Sequence, residues 1–295
     1  MRAVIVAAGI SIDPNINSSI EHAVIAAKNC IATSNIDTQD IDYLFNVGIY
    51  RDSNMVEPSM AALIQKGIGL NLDFLKFSVK TPAFSTDIMN GASGAINAIH
   101  IADALFKSGK KGYVLIVSSD VHPSNKVIEG FSVRPNGAAI LLAPSSHSNG
   151  FHQFSFQDAR KAVVGENSYL NFNNQQLSGR TSITIETKPD YYQILLESTK
   201  SIAKQFCEKY KLDLNHTALI APSFTQDFAT QLGETIGVPS DFVINLWSKY
   251  GNTHTSVFGI GYYEFLNSNI LEQCTNLLFV GAGASLNTGC ALYKL

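Results

Sequence analysis

The chain has 295 residues, of which 45% are hydrophobic, and a formal net charge of −3; Lys, Arg, Asp and Glu together make up 15%, against about 25% in a usual soluble domain. Disorder is excluded, because so much apolar surface offsets the entropy of ordering the chain. The near-neutral charge balance without a basic run gives no phosphate footprint, so a nucleic-acid partner is not expected. So few charges imply extensive burial, a large surface presented to a partner, or both.

Taken in chain order, residues 1–9 form an apolar run far shorter than the roughly 18 residues of a spanning helix. No cleavage region follows, so the run reads as a buried strand, not a signal peptide. No membrane association is expected, and the expected location is the cytoplasm. Over 18–32, Ile20, Val24, Ala27 and Ile31 share one helical face. A strand at 43–47 follows, then a nearly uncharged helix over 93–106 that Gly109 brings to a stop. Strand-like runs at 113–119 and 137–142 complete the series. The segment 145–190, rich in Ser, Asn, Gln and Gly, reads as a bridge.

Beyond the bridge the series repeats: a helix over 191–210 with Leu195, Ile202 and Phe206 on one face, a strand at 218–222, a nearly uncharged helix over 253–266, and strands at 276–280 and 289–293. The spacing between matching elements shortens along the chain, as expected when loops differ but elements correspond. The repeat divides the chain into halves, 1–150 and 151–295. Alternating strands and helices predict mixed sheets covered by helices. A helix apolar on every side must be enclosed on every side, so the two uncharged helices are expected between the sheets, with further helices outside.

Cys30, Cys207, Cys274 and Cys290 lie far apart, with no C-x-x-C and no His at ligand spacing. Buried thiols in a reducing compartment are expected, and neither a metal site nor a disulfide framework. Ser93 is the first candidate for chemistry. It follows Asn90-Gly91-Ala92, where a strand-like segment meets the apolar helix, and such a turn presents a side chain and its own N–H toward an anion. On spacing alone, a small Ser at a tight turn or helix cap is the commoner explanation.

The stretch Asp87-Ile88-Met89-Asn90-Gly91-Ala92-Ser93-Gly94 resembles the nucleophile segment of the β-ketoacyl-acyl-carrier-protein synthase III family, the condensing branch of the thiolase superfamily. Ser93 stands where that family has Cys. Gly48-Ile49-Tyr50-Arg51-Asp52 with Glu57-Pro58-Ser59 is similar to its acyl-donor region, and Tyr250-Gly251-Asn252-Thr253 to its Gly-Asn-Thr motif, which supplies a catalytic Asn. Gly281-Ala282-Gly283-Ala284-Ser285-Leu286 resembles its glycine-rich oxyanion loop. These segments fall in the family's order across most of the chain.

The resemblance implies a duplicated, five-layered α-β-α-β-α fold of class α/β. It also implies an acyl-CoA or acyl-carrier-protein thioester as substrate, no permanently bound cofactor, and pairing as a homodimer or with a homologous subunit, with acyl carrier protein as a further partner. It implies departures as well. The family's His follows the second-half strand, and here Pro222-Ser223-Phe224-Thr225-Gln226 places Ser223 at that position. A thiolate is a good nucleophile near neutral pH, whereas a Ser hydroxyl needs a base.

Other histidines can be weighed as replacements. His254 lies two positions beyond Asn252, and such positions on a helix point apart, so a packed or hydrogen-bonded role is expected ahead of a base. His100, about two turns beyond Ser93, reads as structural. His122 follows a central strand, where active-site loops gather. Arg51 could meet a phosphopantetheine or a carboxylate, or lie exposed in a loop. Arg51, His122 and His254 are thus the candidate substrate contacts beside Ser93, Asn252 and Ser223.

Two functions are consistent with this pattern in fatty-acid-like or polyketide assembly. The first is a catalytically degenerate subunit paired with a Cys-bearing homologue. The second is an acyltransferase with Ser93 as nucleophile, in which Asn252 and the N–H groups of Ser93 and Ala284 hold the oxyanion. An introduced Cys-to-Ser exchange at Ser93 and a binding protein unrelated to thioesters are the remaining alternatives.

Overall fold

A computed structural model of the chain describes residues 1–70, 82–124, 130–158, 165–170, 183–283 and 286–295. The first sheet contains β1 (Arg2–Ser11), β2 (Ile41–Asn46), β3 (Phe84–Asp87), β4 (Tyr113–Asp120) and β5 (Asn136–Ser145), in the order β1-β5-β4-β2-β3. The second contains β6 (Gly150–Asp158), β9 (Thr217–Ile220), β10 (Val243–Ile244), β11 (Asn276–Ala282) and β12 (Asn287–Lys294), in the order β10-β9-β11-β12-β6. The short hairpin of β7 (Glu166–Tyr169) and β8 (Thr184–Thr187) stands apart from both.

Read from its first strand, each sheet has the same order and the same pairing sense. β1–β5 and β5–β4 are antiparallel while β4–β2 and β2–β3 are parallel. β6–β12 and β12–β11 are antiparallel while β11–β9 and β9–β10 are parallel. The elements matched in the sequence are the ones that occupy equivalent places.

Helices α1 (Ser19–Ser34) and α2 (Met60–Ile68) cover one side of the first sheet, and α4 (Tyr191–Tyr210) and α5 (Phe228–Ile236) one side of the second. Between the sheets lie α3 (Ser93–Lys107) and, beyond the single turn α6 (Trp247–Tyr250), α7 (Val257–Leu266). The five-layered α-β-α-β-α architecture expected above is the one the chain adopts. On α3, Ala95, Ile96, Ala98, Ile99 and Ala102 are all buried, as an apolar stripe facing the sheets should be; enclosure is not complete, because His100, Ile101 and Ala104 are exposed and the buried Asp103 is paired with Lys107 at 2.6 Å.

The helix ends are closed locally. The Ser18 hydroxyl accepts from Glu21 N at 3.0 Å, and the Asp52 carboxylate accepts from Ser19 N at 2.6 Å, satisfying donors that the first turn leaves unpaired. Asp87 does the same for α2, accepting from Met60 N at 3.2 Å and Ala61 N at 2.8 Å.

Two expectations need correction. The 145–190 segment is not simply a bridge: it supplies β6, the first strand of the second sheet, and the β7–β8 hairpin. The second inner helix begins at Val257, not at 253, because His254–Ser256 form a tight 3-10 turn in which His254 has φ 45°, a backbone region uncommon for non-Gly residues. All four cysteines are buried and unpaired. Among the described residues, no helix is long and apolar enough to cross a membrane.

Candidate active site

A cavity of about 650 Å³ opens where the loops after β2, β4, β9 and β11 converge with the β7–β8 hairpin. Its walls carry the aromatic side chains of Tyr50, Phe131, Tyr169, Tyr191, Tyr192 and Phe224, and its polar groups include Arg51, Glu166, Asn252 and His254. A mostly apolar cleft with a few convergent polar groups suits an apolar ligand with one polar end. Burial pushes the Tyr50, Tyr191 and Tyr192 phenols up, so near neutral pH they are neutral donors.

Asn252 sits on the cavity wall, 2% exposed. Its Nδ2 donates to Ser132 Oγ at 2.9 Å, its Oδ1 accepts from His254 N at 3.0 Å, and its carbonyl accepts from Arg134 N at 3.0 Å. Two bonds to the 132–134 segment and one within its own turn hold Asn252 in place.

The helical spacing assumed for His254 does not apply, because 252–254 lie ahead of the helix. His254 therefore shares the cavity wall with Asn252. Its Nδ1 meets Asp120 Oδ2 at 3.0 Å, and its side chain is 14% exposed while that of Asp120 is fully buried. Asp120 also accepts from Ile49 N at 3.1 Å and Tyr50 N at 2.9 Å through Oδ1, and from Thr255 N at 3.2 Å and the Thr255 hydroxyl through Oδ2. Burial would raise the Asp120 pKa, but the charge and hydrogen bond of His254 and the Thr255 and Tyr50 bonds outweigh it, and the carboxyl is held below its ordinary range. Burial likewise opposes protonation of His254, yet the Asp120 charge and hydrogen bond, with Glu166 further off, leave its pKa above the ordinary imidazole value.

The other candidates are placed differently. Ser93 opens α3 and is 0% exposed; its Oγ donates to the Asn287 carbonyl at 3.4 Å, and it is not among the cavity-lining residues. Gly281 packs against it so closely that a Cβ there would lie 2.9 Å from the Ser93 Cα. Ser223, 2% exposed, exchanges hydrogen bonds with Thr253: Oγ to Oγ1 at 3.0 Å, and Thr253 N to Oγ at 3.2 Å. Its neighbour Phe224, not Ser223, lines the cavity.

Arg51 does reach the wall, but its guanidinium is committed to Asp87 Oδ2 at 2.8 Å and the Val56 carbonyl at 2.7 Å. His122 lies one layer back, with Nδ1 2.9 Å from the Ser124 carbonyl and its ring edge-on to Phe131 at 4.8 Å. His100 stacks on Phe154 and Phe156 at 4.6 and 5.4 Å, away from the cavity. Ala284 lies outside the described residues, while Ala282 and Gly283 of the same loop line the cavity.

The structure thus brings Asn252, His254 and Arg51 to one cavity and leaves the hydroxyls of Ser93 and Ser223 inside the protein. Burial pushes the Cys30 and Cys207 thiols up to about 12, so neither supplies a thiolate. Asp120 was missed in the sequence, although a carboxylate ending the apolar strand 113–119 is a signal that could have found it. Among the described residues, no group of three His, Cys, Asp or Glu is arranged to hold a metal ion.

No protein-family model matches the chain. Over 289 residues it is 24% identical to the β-ketoacyl-[acyl-carrier-protein] synthase III of Koribacter versatilis, covering 92% of this chain and 82% of that protein. The Fusobacterium nucleatum protein of the same name is 22% identical over 287 residues, with the same shares covered. Among solved structures, the 3-oxoacyl-(acyl carrier protein) synthase III of Pseudomonas aeruginosa superposes with a TM-score of 0.82 at 14% identity, covering 100% of this chain and 98% of that one. A Xanthomonas campestris OleA variant with bound lauric acid and lauroyl-CoA superposes with a TM-score of 0.77 at 15% identity, covering 100% and 99%. The chain therefore shares the thiolase-like fold of these synthases along its whole length.

Proposed function

We propose that the chain is a ketoacyl-synthase-III-like subunit of fatty-acid-like or polyketide assembly. It receives an acyl thioester in the Asn252 cavity, forms no acyl-enzyme on Ser93, and works beside a Cys-bearing homologue. The observation that carries this reading is the fate of two hydroxyls. Ser93 Oγ and Ser223 Oγ are buried and bonded to protein groups, while Asn252 faces the cavity. A Ser nucleophile needs a base in hydrogen-bond reach, and among the described residues no imidazole, amine or carboxylate bonds Ser93.

The relatives support the thioester: they are named as acyl-carrier-protein synthases, and the OleA variant binds lauric acid and lauroyl-CoA. A largely apolar cavity of about 650 Å³ suits an acyl chain. The subunit role is supported by the 15% charge content and by β3, a sheet-edge strand whose Phe84 is 57% exposed. An open edge with an apolar side chain favours pairing with another chain.

Intact-mass measurement after incubation with lauroyl-CoA tests the reading, with no covalent adduct expected. A lauroyl adduct that disappears in Ser93→Ala would overturn it in favour of the acyltransferase, with Asn252 and the N–H groups of Ser93 and Ala284 around the oxyanion. Co-expression with a Cys-bearing homologue should yield a stable 1:1 complex, and a stable homodimer that does not take up the homologue would count against the subunit role.

A further inference from the structure

We propose that His254, oriented by Asp120, is a catalytic acid–base residue of this cavity, acting on a bound acyl thioester without a covalent enzyme intermediate. This rests on the acyl-thioester half of the reading above and is independent of the subunit half.

Asp120 is held in place by more than the imidazole. Two backbone N–H groups bond its Oδ1, and a backbone N–H and a hydroxyl from Thr255 bond its Oδ2, so the carboxylate is a fixed anchor to which His254 is added. The imidazole gains orientation. With Nδ1 on the carboxylate, Nε2 is the nitrogen left for chemistry, and it has no hydrogen-bond partner among the described residues. The ring lies on the cavity wall beside the fixed Asn252 amide, and Tyr50 packs against it at 5.3 Å between ring centres. Its backbone is held at φ 45°, a conformation that a protein retains for a non-Gly residue where the surroundings determine it, often at functional sites.

In the step, Nε2 takes the proton of an acceptor hydroxyl, from water or a small alcohol, as that oxygen attacks the acyl carbonyl. The O–C bond forms, the C–S bond breaks, and the imidazolium returns the proton to the departing thiolate. The products are a thiol and a carboxylic acid, or a thiol and an ester, with no change of oxidation state. Asp120 is a positioning residue: it fixes the tautomer and stabilises the imidazolium.

The charged and titratable groups around the ring are Asp120 from β4, Glu166 from β7, Arg51 after β2, already paired with Asp87, and the neutral phenol of Tyr50. The two carboxylates favour the imidazolium, so the rate should fall as pH drops through a value above the ordinary imidazole range.

Release of CoA from lauroyl-CoA, followed with a thiol reagent, tests the proposal alongside binding of S-dodecyl-CoA, a thioether that cannot be cleaved. His254→Asn suits the test because Asn tolerates a positive φ. The expected result is CoA release slowed about 100-fold or more in His254→Asn, with S-dodecyl-CoA affinity kept within about threefold. Wild-type release should also lose about tenfold per pH unit on the acid side of the His254 pKa. Equal release by the variant, or no release by a wild-type protein that binds S-dodecyl-CoA, would overturn the inference. Failure of the wild type to bind S-dodecyl-CoA would overturn the acyl-thioester reading itself and the inference with it.

Discussion

Asp120 and His254 stand 134 positions apart, and their pairing makes stability depend on pH in a defined window. His254 has a raised pKa in the folded state, so its contribution is complete below the unfolded imidazole value and fades as pH rises through the folded one. Asp120 has a lowered pKa, so its contribution is complete above the ordinary carboxyl value and fades as pH falls through the folded one. Both are fully expressed between about pH 4 and 6.5. Denaturant melts of wild type and His254→Asn should differ by about 2 kcal/mol in that window, the worth of a hydrogen bond to a charged group. The gap should narrow as pH rises above it, and a constant gap across the range would argue against an ionised pair. This pair was not legible in the sequence, since no local spacing connects a strand end to a turn in the other repeat. Ser93 was legible as the residue opening an inner helix, but the burial of its hydroxyl under Asn287 follows from tertiary packing alone.

The inner helices show where pattern was sufficient and where it was not. The near-absence of charge in 93–106, where Asp103 is the one charged residue, placed α3 between the sheets and fixed its ends within one residue. The same reasoning placed α7 correctly but began it four residues early, because Asn252, Thr253 and the turn at His254–Ser256 bond to other segments instead of to the helix. β6 was hidden because its Ser-, Gln- and aromatic-containing sequence lacks a long aliphatic run. The thickness of the inner layer depends on two glycines of α7. A Cβ on Gly259 would lie 2.5 Å from the Ala138 Cβ of β5, and one on Gly261 would lie 2.5 Å from Ile220 Cγ2 of β9. Each glycine therefore allows the helix to approach a different sheet. Ala improves intrinsic helix propensity over Gly by about 1 kcal/mol, while overpacking an interior costs about 1–3 kcal/mol. Against Ala138 Cβ, a short branch on a strand backbone, the clash should win. Gly259→Ala is expected to lower stability by about 1–2 kcal/mol and Tm by about 2–4 °C per kcal/mol; calorimetry showing a raised Tm would mean that α7 can shift outward freely.

At the scale of the molecule, the repeat read from the sequence reappears as two sheets of identical strand order. The low charge content has a partial explanation in the central layer, where most of both helices is buried. Among the described strands β3 ends the first sheet, and its Phe84 is 57% exposed. The aromatic cavity was invisible in the sequence, because its walls come from segments scattered through both repeats and no periodicity links Tyr50, Phe131, Tyr191 and Phe224.

Asp120 has a role at this scale too. The carboxylate belongs to the first sheet, Tyr50 and Ile49 follow another strand of that sheet, and His254 and Thr255 lead into the inner helix of the second repeat. A buried anion bonded from both repeats is satisfied only while they are docked, so it couples their unfolding into one event. Removing it should loosen that coupling more than it loosens either sheet. Asp120→Ala is therefore expected to melt in two calorimetric transitions where the wild-type chain melts in one.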